Sequence, residues 1–277
     1  MGTSIGNTYI KRNRFHDFFI SHYTLKMSGT HFYLTLPSNA SLSVFPENKI
    51  SGYRVKLPHV VNLNGNWEVG LYSITYPHTW YTLKKGLDTH IYVTHKTGLP
   101  TPVYVNYGLY EKAFDLVKSV NETLDKEVKD NIKLSFDPRT EKIKVHVRQG
   151  YKISFNQRMS VLLGFGGKDV EILKTTESPY ACDLHGSVMM YVYCNIVQPQ
   201  VVGDVNVKLL KAVAIQGKYG DIVSRTFTNI QYLPVQTKSF EDIEILLRDE
   251  LGNPIAFERG KSIVTLHFRK QSLSYFT

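Results

Sequence analysis

The chain has 277 residues, 42% of them hydrophobic and 21% charged, and 33 Lys and Arg against 24 Asp and Glu give a net charge of +9. These proportions are those of a globular protein and exclude bulk disorder. The longest apolar run, Val188–Cys194, is far shorter than the roughly 20 residues a membrane-spanning helix needs.

The first 30 residues carry +3, from Lys11, Arg12, Arg14 and Lys26 against Asp17, together with Tyr9, Phe15, Phe18, Phe19 and Tyr23. No apolar stretch of the signal-peptide kind follows the basic residues, so no secretory signal is predicted. A free tail seldom holds so many aromatics. Residues 1–30 therefore read as an arm that orders on a partner or along its own domain.

From His31 onward the pattern is that of strands. His31–Leu36, Ile50–Leu57 and Trp67–Tyr76 are predicted strands, the last two split by the loop signal Asn62-Leu-Asn-Gly-Asn. Trp67, Val69 and Leu71 alternate onto one face, and Pro77 ends the run because it has no N–H for a ladder. His90–His95 follows. Phe114, Val117, Asn121, Leu124 and Val128 then fall at helical spacing, which predicts one amphipathic helix over 109–128. Next, Ile132, Leu134 and Phe136, then Ile143, Val145 and Val147, then Tyr151, Ile153 and Phe155 alternate with polar residues. This predicts three antiparallel strands with one apolar face and one basic face of Lys142, Lys144, His146, Arg148 and Lys152. Asn156 is placed to cap a short helix ending at Gly164. The last third reads as strands over 188–197, 205–215, 226–235, 243–247 and 262–268. About twelve strands and one main helix predict an all-β sandwich or jelly roll.

Signatures of catalysis and of cofactor binding are missing. Gly260-Lys-Ser has Ile255 where a phosphate loop requires glycine, and Gly164-Phe-Gly-Gly lacks the third glycine spacing of a dinucleotide fingerprint. The two cysteines, Cys182 and Cys194, have neither metal-site nor disulfide-framework spacing and read as reduced thiols. His31, His146 and His267 sit within strand patterns and read as face residues. No catalytic, metal or cofactor site is predicted. The basic segments instead suggest an acidic partner, and the 18 tyrosines suggest protein interfaces.

Several stretches together resemble one family: Phe32-Tyr-Leu-Thr-Leu-Pro-Ser-Asn-Ala-Ser, Trp67-Glu-Val-Gly-Leu, Ile74-Thr-Tyr-Pro-His-Thr-Trp-Tyr81, Leu162-Leu-Gly-Phe165, the run 191–204, Phe240-Glu-Asp-Ile-Glu-Ile and Gly260–Phe268. Together they are similar to the minor capsid (penton) proteins of Polinton, or Maverick, elements and their adintovirus-like relatives. The resemblance implies a single jelly roll over 31–270, with an inserted amphipathic helix and extra hairpin strands, and a tail at 271–277. It also implies no enzymatic activity, a homopentamer at an icosahedral vertex, and a double-jelly-roll major capsid protein as neighbour. The protein would then be made inside a host cell and reside in the virion, with packaged DNA and a host receptor as further candidate partners. Interface candidates are Lys11, Arg12, Arg14, Phe15, Phe18 and Phe19 of the arm, and Trp80 and Tyr81 after the strand-ending proline. Two other readings stay open: a nucleic-acid-binding β protein, motivated by the basic face, and a carbohydrate- or receptor-binding jelly roll.

Overall fold

The computed structural model describes residues 29–86, 89–95, 98–184 and 186–271. The arm candidates Lys11, Arg12, Arg14, Phe15, Phe18 and Phe19 lie outside the described residues, as does nearly all of the tail. The first part of the chain forms β1 (His31–Pro37), β2 (Gly52–Asn62) and β3 (Trp67–Pro77). A middle part forms β4 (His90–Thr94), β5 (Thr101–Tyr104), α1 (Ala113–Thr123), α2 (Lys126–Lys129), β6 (Ile132–Asp137), β7 (Lys142–Val147), β8 (Lys152–Phe155), α3 (Gln157–Leu162), β9 (Val170–Ile172) and β10 (Thr176–Glu177). The last part forms β11 (Met189–Cys194), β12 (Gln200–Val202), β13 (Val205–Val207), β14 (Leu209–Ala214), β15 (Ile222–Thr226), β16 (Leu233–Pro234), β17 (Ser239–Arg248) and β18 (Ile263–Lys270).

Two antiparallel sheets carry the framework, ordered β1-β18-β3-β15 and β2-β17-β11-β14, with β16 also on β3. Numbered one to eight along the chain, with the middle part and the short pieces set aside, these strands run 1-8-3-6 in one sheet and 2-7-4-5 in the other. That wiring is the jelly roll, in which consecutive strands alternate between facing sheets. Alternation supplies the core: Val264, Leu266 and Phe268 of β18 face Ile243, Ile245 and Leu247 of β17, all buried. β3 carries a change of phase, because its pairing with β18 shifts between Thr265 and Leu266. One extra residue, a bulge, lets Trp67, Val69 and Leu71 and then Ile74 and Tyr76 all point inward. Two tyrosines tie the sheets together. The Tyr53 hydroxyl of β2 donates to the Leu36 carbonyl of β1 at 3.0 Å, and the Gln216 N–H after β14 donates to the Tyr76 hydroxyl of β3 at 3.0 Å. Cys194 is buried and free, and burial pushes its thiol up to about 12, while Cys182 is half-buried and also free.

The whole middle part enters between β3 and β11. It holds the predicted inserted helix but is larger than a helix with hairpins. It has two further sheets, β5-β4-β8-β9 and β10-β7-β6, and a hydrophobic cluster separate from that of the roll. The predicted helix over 109–128 is also shorter. α1 ends where Leu124 turns to an extended conformation, and Asp125 then caps α2 by accepting from the Val128 N–H at 2.8 Å. The break lets Leu124 and Val128 both reach the core, which a continuous helix would not need. On α1 the buried face is Ala113, Leu116, Val117 and Val120, and Phe114 is 62% exposed. The capped helix after Asn156 forms as predicted: the Asn156 side chain accepts from Met159 N–H at 2.8 Å. Gly164 ends it with φ +77° against the Tyr180 carbonyl, where a Cβ has no room.

The strand predicted over 226–235 splits instead. β15 ends at Thr226, and the chain then crosses over Gly70 of β3, where the missing Cβ admits Ile230 and the Gln231 carbonyl, before β16 rejoins β3 at Val69.

Candidate interface surfaces

Three surfaces stand out, and the first is the corner after β3. His78 is fixed by its N–H to the Asp221 carbonyl at 2.8 Å, and the Thr79 hydroxyl donates to the Arg259 carbonyl at 3.0 Å. This pinning turns the Trp80 ring inward, where it stacks on His78 at 4.0 Å between centroids and meets Phe257 edge-on at 5.6 Å. Trp80 is 8% exposed and belongs to the core of the roll. The next residue goes the other way. Tyr81 is half-exposed and stacks on Tyr219 at 5.9 Å, with Tyr107 at 6.3 Å and Lys85 Nζ 5.8 Å from the Tyr107 ring. The hydrogen-bonded Tyr219 hydroxyl, followed by its charge, raises the Tyr81 hydroxyl above its ordinary value. The corner thus splits the predicted pair into one core plug and one member of a surface tyrosine cluster.

The second surface is the basic face. Lys144, His146 and Arg148 are exposed on or just past β7, with Lys142 half-exposed. The three-strand sheet expected there does not form. β8 pairs with β4 and β9, and β7 pairs with β6 and β10. The reason is coverage: a single three-stranded sheet would leave its apolar face open, whereas sending Ile153 and Phe155 into a second sheet encloses one cluster from both sides. Lys152 therefore leaves the basic face and sits 3.4 Å from Glu171. Lys133 replaces it, directly opposite His146, while Glu177 lies opposite Lys144 and offsets part of the charge. Asp137, held low by the Arg139 guanidinium and its N–H, is already paired.

The third surface is a groove of about 600 Å³ between α1 and β6, floored by Val117, Ile132, Leu134 and Phe136, with Phe114 at its lip. At its centre Asn121 takes the place of a neighbouring strand. Its amide donates to the Leu134 carbonyl at 2.8 Å and its oxygen accepts the Leu134 N–H at 2.9 Å. Helical spacing placed Asn121 on the inner face, but its role as a strand substitute has no sequence signal. Among the described residues no group of His, Cys, Asp and Glu is arranged to hold a metal ion, and no helix is long and apolar enough to cross a membrane.

No protein-family model and no curated protein matches the chain. Two solved structures are similar over most of its length. The mavirus penton protein, solved with selenomethionine, aligns with TM-score 0.49 at 12% identity, over 88% of this chain and all of that one. A chain of the Sputnik virophage, solved by cryo-EM, aligns with TM-score 0.45 at 10% identity, over 90% of this chain and all of that one. Neither likeness is high enough for a role to follow from it. The jelly roll rests on the strand order given above. The Tyr107 and Tyr219 partners of Tyr81 were not legible beforehand, since only a general excess of tyrosine pointed to them.

Proposed function

We propose that this chain is a structural minor capsid protein of the Polinton/Maverick type, five copies of which close a vertex beside double-jelly-roll major capsid subunits. The observation that carries the reading is where the resembling stretches fall. Phe32–Ser41 covers β1, Trp67–Tyr81 covers β3 and its corner, and the remaining main stretches cover β11, the first half of β17 and β18. The resemblance thus follows the framework of the roll, and only Leu162-Leu-Gly-Phe165 lies in the insertion. A ring of five needs two different patches that meet head to tail. A stable contact buries about 1,200–2,000 Å² around aromatic anchors, and the Tyr81, Tyr107 and Tyr219 cluster is the anchor chosen here. In this reading Lys11, Arg12 and Arg14 fix the arm to an acidic neighbour and Phe15, Phe18 and Phe19 dock beside it.

Mass measurement in solution tests the proposal. Five protomer masses are expected, and a stable monomer at micromolar concentration overturns it. Contact with packaged DNA is the second reading, favoured by Lys133, Lys142, Lys144, His146 and Arg148 on one exposed face. Filter binding at two salt concentrations decides it, because phosphate contacts weaken steeply with salt. Absent or salt-insensitive binding rejects it.

A further inference from the structure

The side of the roll where β1 and β2 form the outermost strands of their sheets is open. Thr30 accepts from the Lys270 N–H, and Ser38 donates to the Ser262 carbonyl, both at 2.8 Å. In an antiparallel ladder the bonding direction alternates. The even positions of β1 therefore bond inward to β18, and His31, Tyr33 and Thr35 present N–H and C=O to the free edge. Pro37 falls in the same odd set and has no N–H, so it ends that free edge. Beside the edge runs a groove of about 330 Å³ lined by Phe32, Leu34, Leu57, Pro58, Val60 and Val61. It exists because β2 and β17 lose register: Phe240 pairs with Val61 but Asp242 pairs with Lys56, so Leu57–Val60 are pushed out of the ladder. Val60 is left 53% exposed. A free edge of this kind, flanked by apolar surface, invites an added strand.

We propose that residues 22–26 of this same chain form that strand, paired antiparallel to β1 with their apolar side chains in the groove. Tyr23 and Leu25 alternate with His22, Thr24 and Lys26, the period of a half-buried strand. The described chain starts at Gly29, next to Phe32 at the groove, so the segment needs only to reverse direction. A four-residue reversal over 27–30, containing Gly29, sets Lys26 opposite His31. That register puts Leu25 opposite Phe32 and Tyr23 opposite Leu34, both facing the groove, and leaves His22, Thr24 and Lys26 facing out. The ten groove residues include no Lys, Arg, Asp or Glu, which suits an apolar strand and not a charged peptide. Lys11, Arg12 and Arg14 then project beyond the new strand. The inference does not depend on the proposed capsid role.

Hydrogen exchange on the full chain tests it, comparing the wild type with the double variant Tyr23→Asp and Leu25→Asp. The amides of His31, Tyr33 and Thr35 are expected to exchange at least tenfold faster in the variant, with those of Phe32 and Leu34 unchanged as a control for the fold. Tyr23→Phe should retain the protection. Equal exchange in wild type and double variant overturns the proposal. So does protection that rises with protein concentration, which would mean that a second copy supplies the strand.

Discussion

The roll and the insertion solve the same packing problem with different residues. The interior of the roll is built on aromatics: Tyr53, Tyr76, Trp67, Trp80, Phe240 and Phe268 are all buried. The buried cluster of the insertion is aliphatic apart from Phe155, with leucine, isoleucine, valine and one methionine from two sheets and three helices. Two facing sheets stand about 10 Å apart, a gap that large rings fill from either side. Tyr53 and Tyr76 add hydroxyls that reach polar backbone across it. Helices packed on a sheet come closer and interdigitate branched side chains, so the insertion needs few rings and meets its backbone demands with side-chain amides such as Asn121 and Asn156.

If the two cores are as separate as their membership indicates, damage to one should spare the other. Phe268→Ala removes a ring that is fully buried and stacked 4.5 Å from Phe32, and should cost about 3–5 kcal/mol. Leu134→Ala in the insertion should cost about 2–5 kcal/mol. Calorimetry is expected to show each variant lowering a different transition, and a single shared transition would break the comparison. Asn121→Ala strips two backbone groups of Leu134 of their partner and should cost about 1–3 kcal/mol, read by denaturant titration of the insertion's signal. Tyr53→Phe keeps the ring and loses one hydrogen bond, with an expected cost near 1 kcal/mol on the roll alone.

The smallest effect is a pH dependence confined to the roll. Burial, helped by His31 and Arg269, lowers His267 below its ordinary 6.5. The unfolded chain then takes up a proton that the folded chain resists, so this stability is present above about pH 6.5 and is lost as the pH falls below it. Melting temperatures between pH 8 and pH 5 should fall less steeply in His267→Gln than in the wild type.

The framework was legible because its strands alternate over many residues. β1, β3, β17 and β18 each bury a regular set of side chains, and Pro77 marked the end of β3 by its chemistry. The partners of strands were not legible. β8 alternates as cleanly as β7, and only the need to cover an apolar face sends it to another sheet. β9, β10 and β12 have two or three residues and carry no period at all. Trp80 and Tyr81 are adjacent in sequence, yet only the hydrogen bonds that pin His78 and Thr79 decide which of them turns inward. The tyrosine cluster joins residues far apart in sequence, beyond the reach of any local pattern.

The registers also give the molecule a direction. His31 pairs with Arg269 and Lys270 with Trp67, so both ends of the described chain leave from one end of the sandwich. Pro77, where the insertion begins, is at the other end of the eleven-residue β3, roughly 35 Å away. A label fused to either terminus and a peptide grafted into the insertion would therefore sit on opposite poles and not compete for space. The two could serve as independent rulers for which pole faces the inside of an assembly.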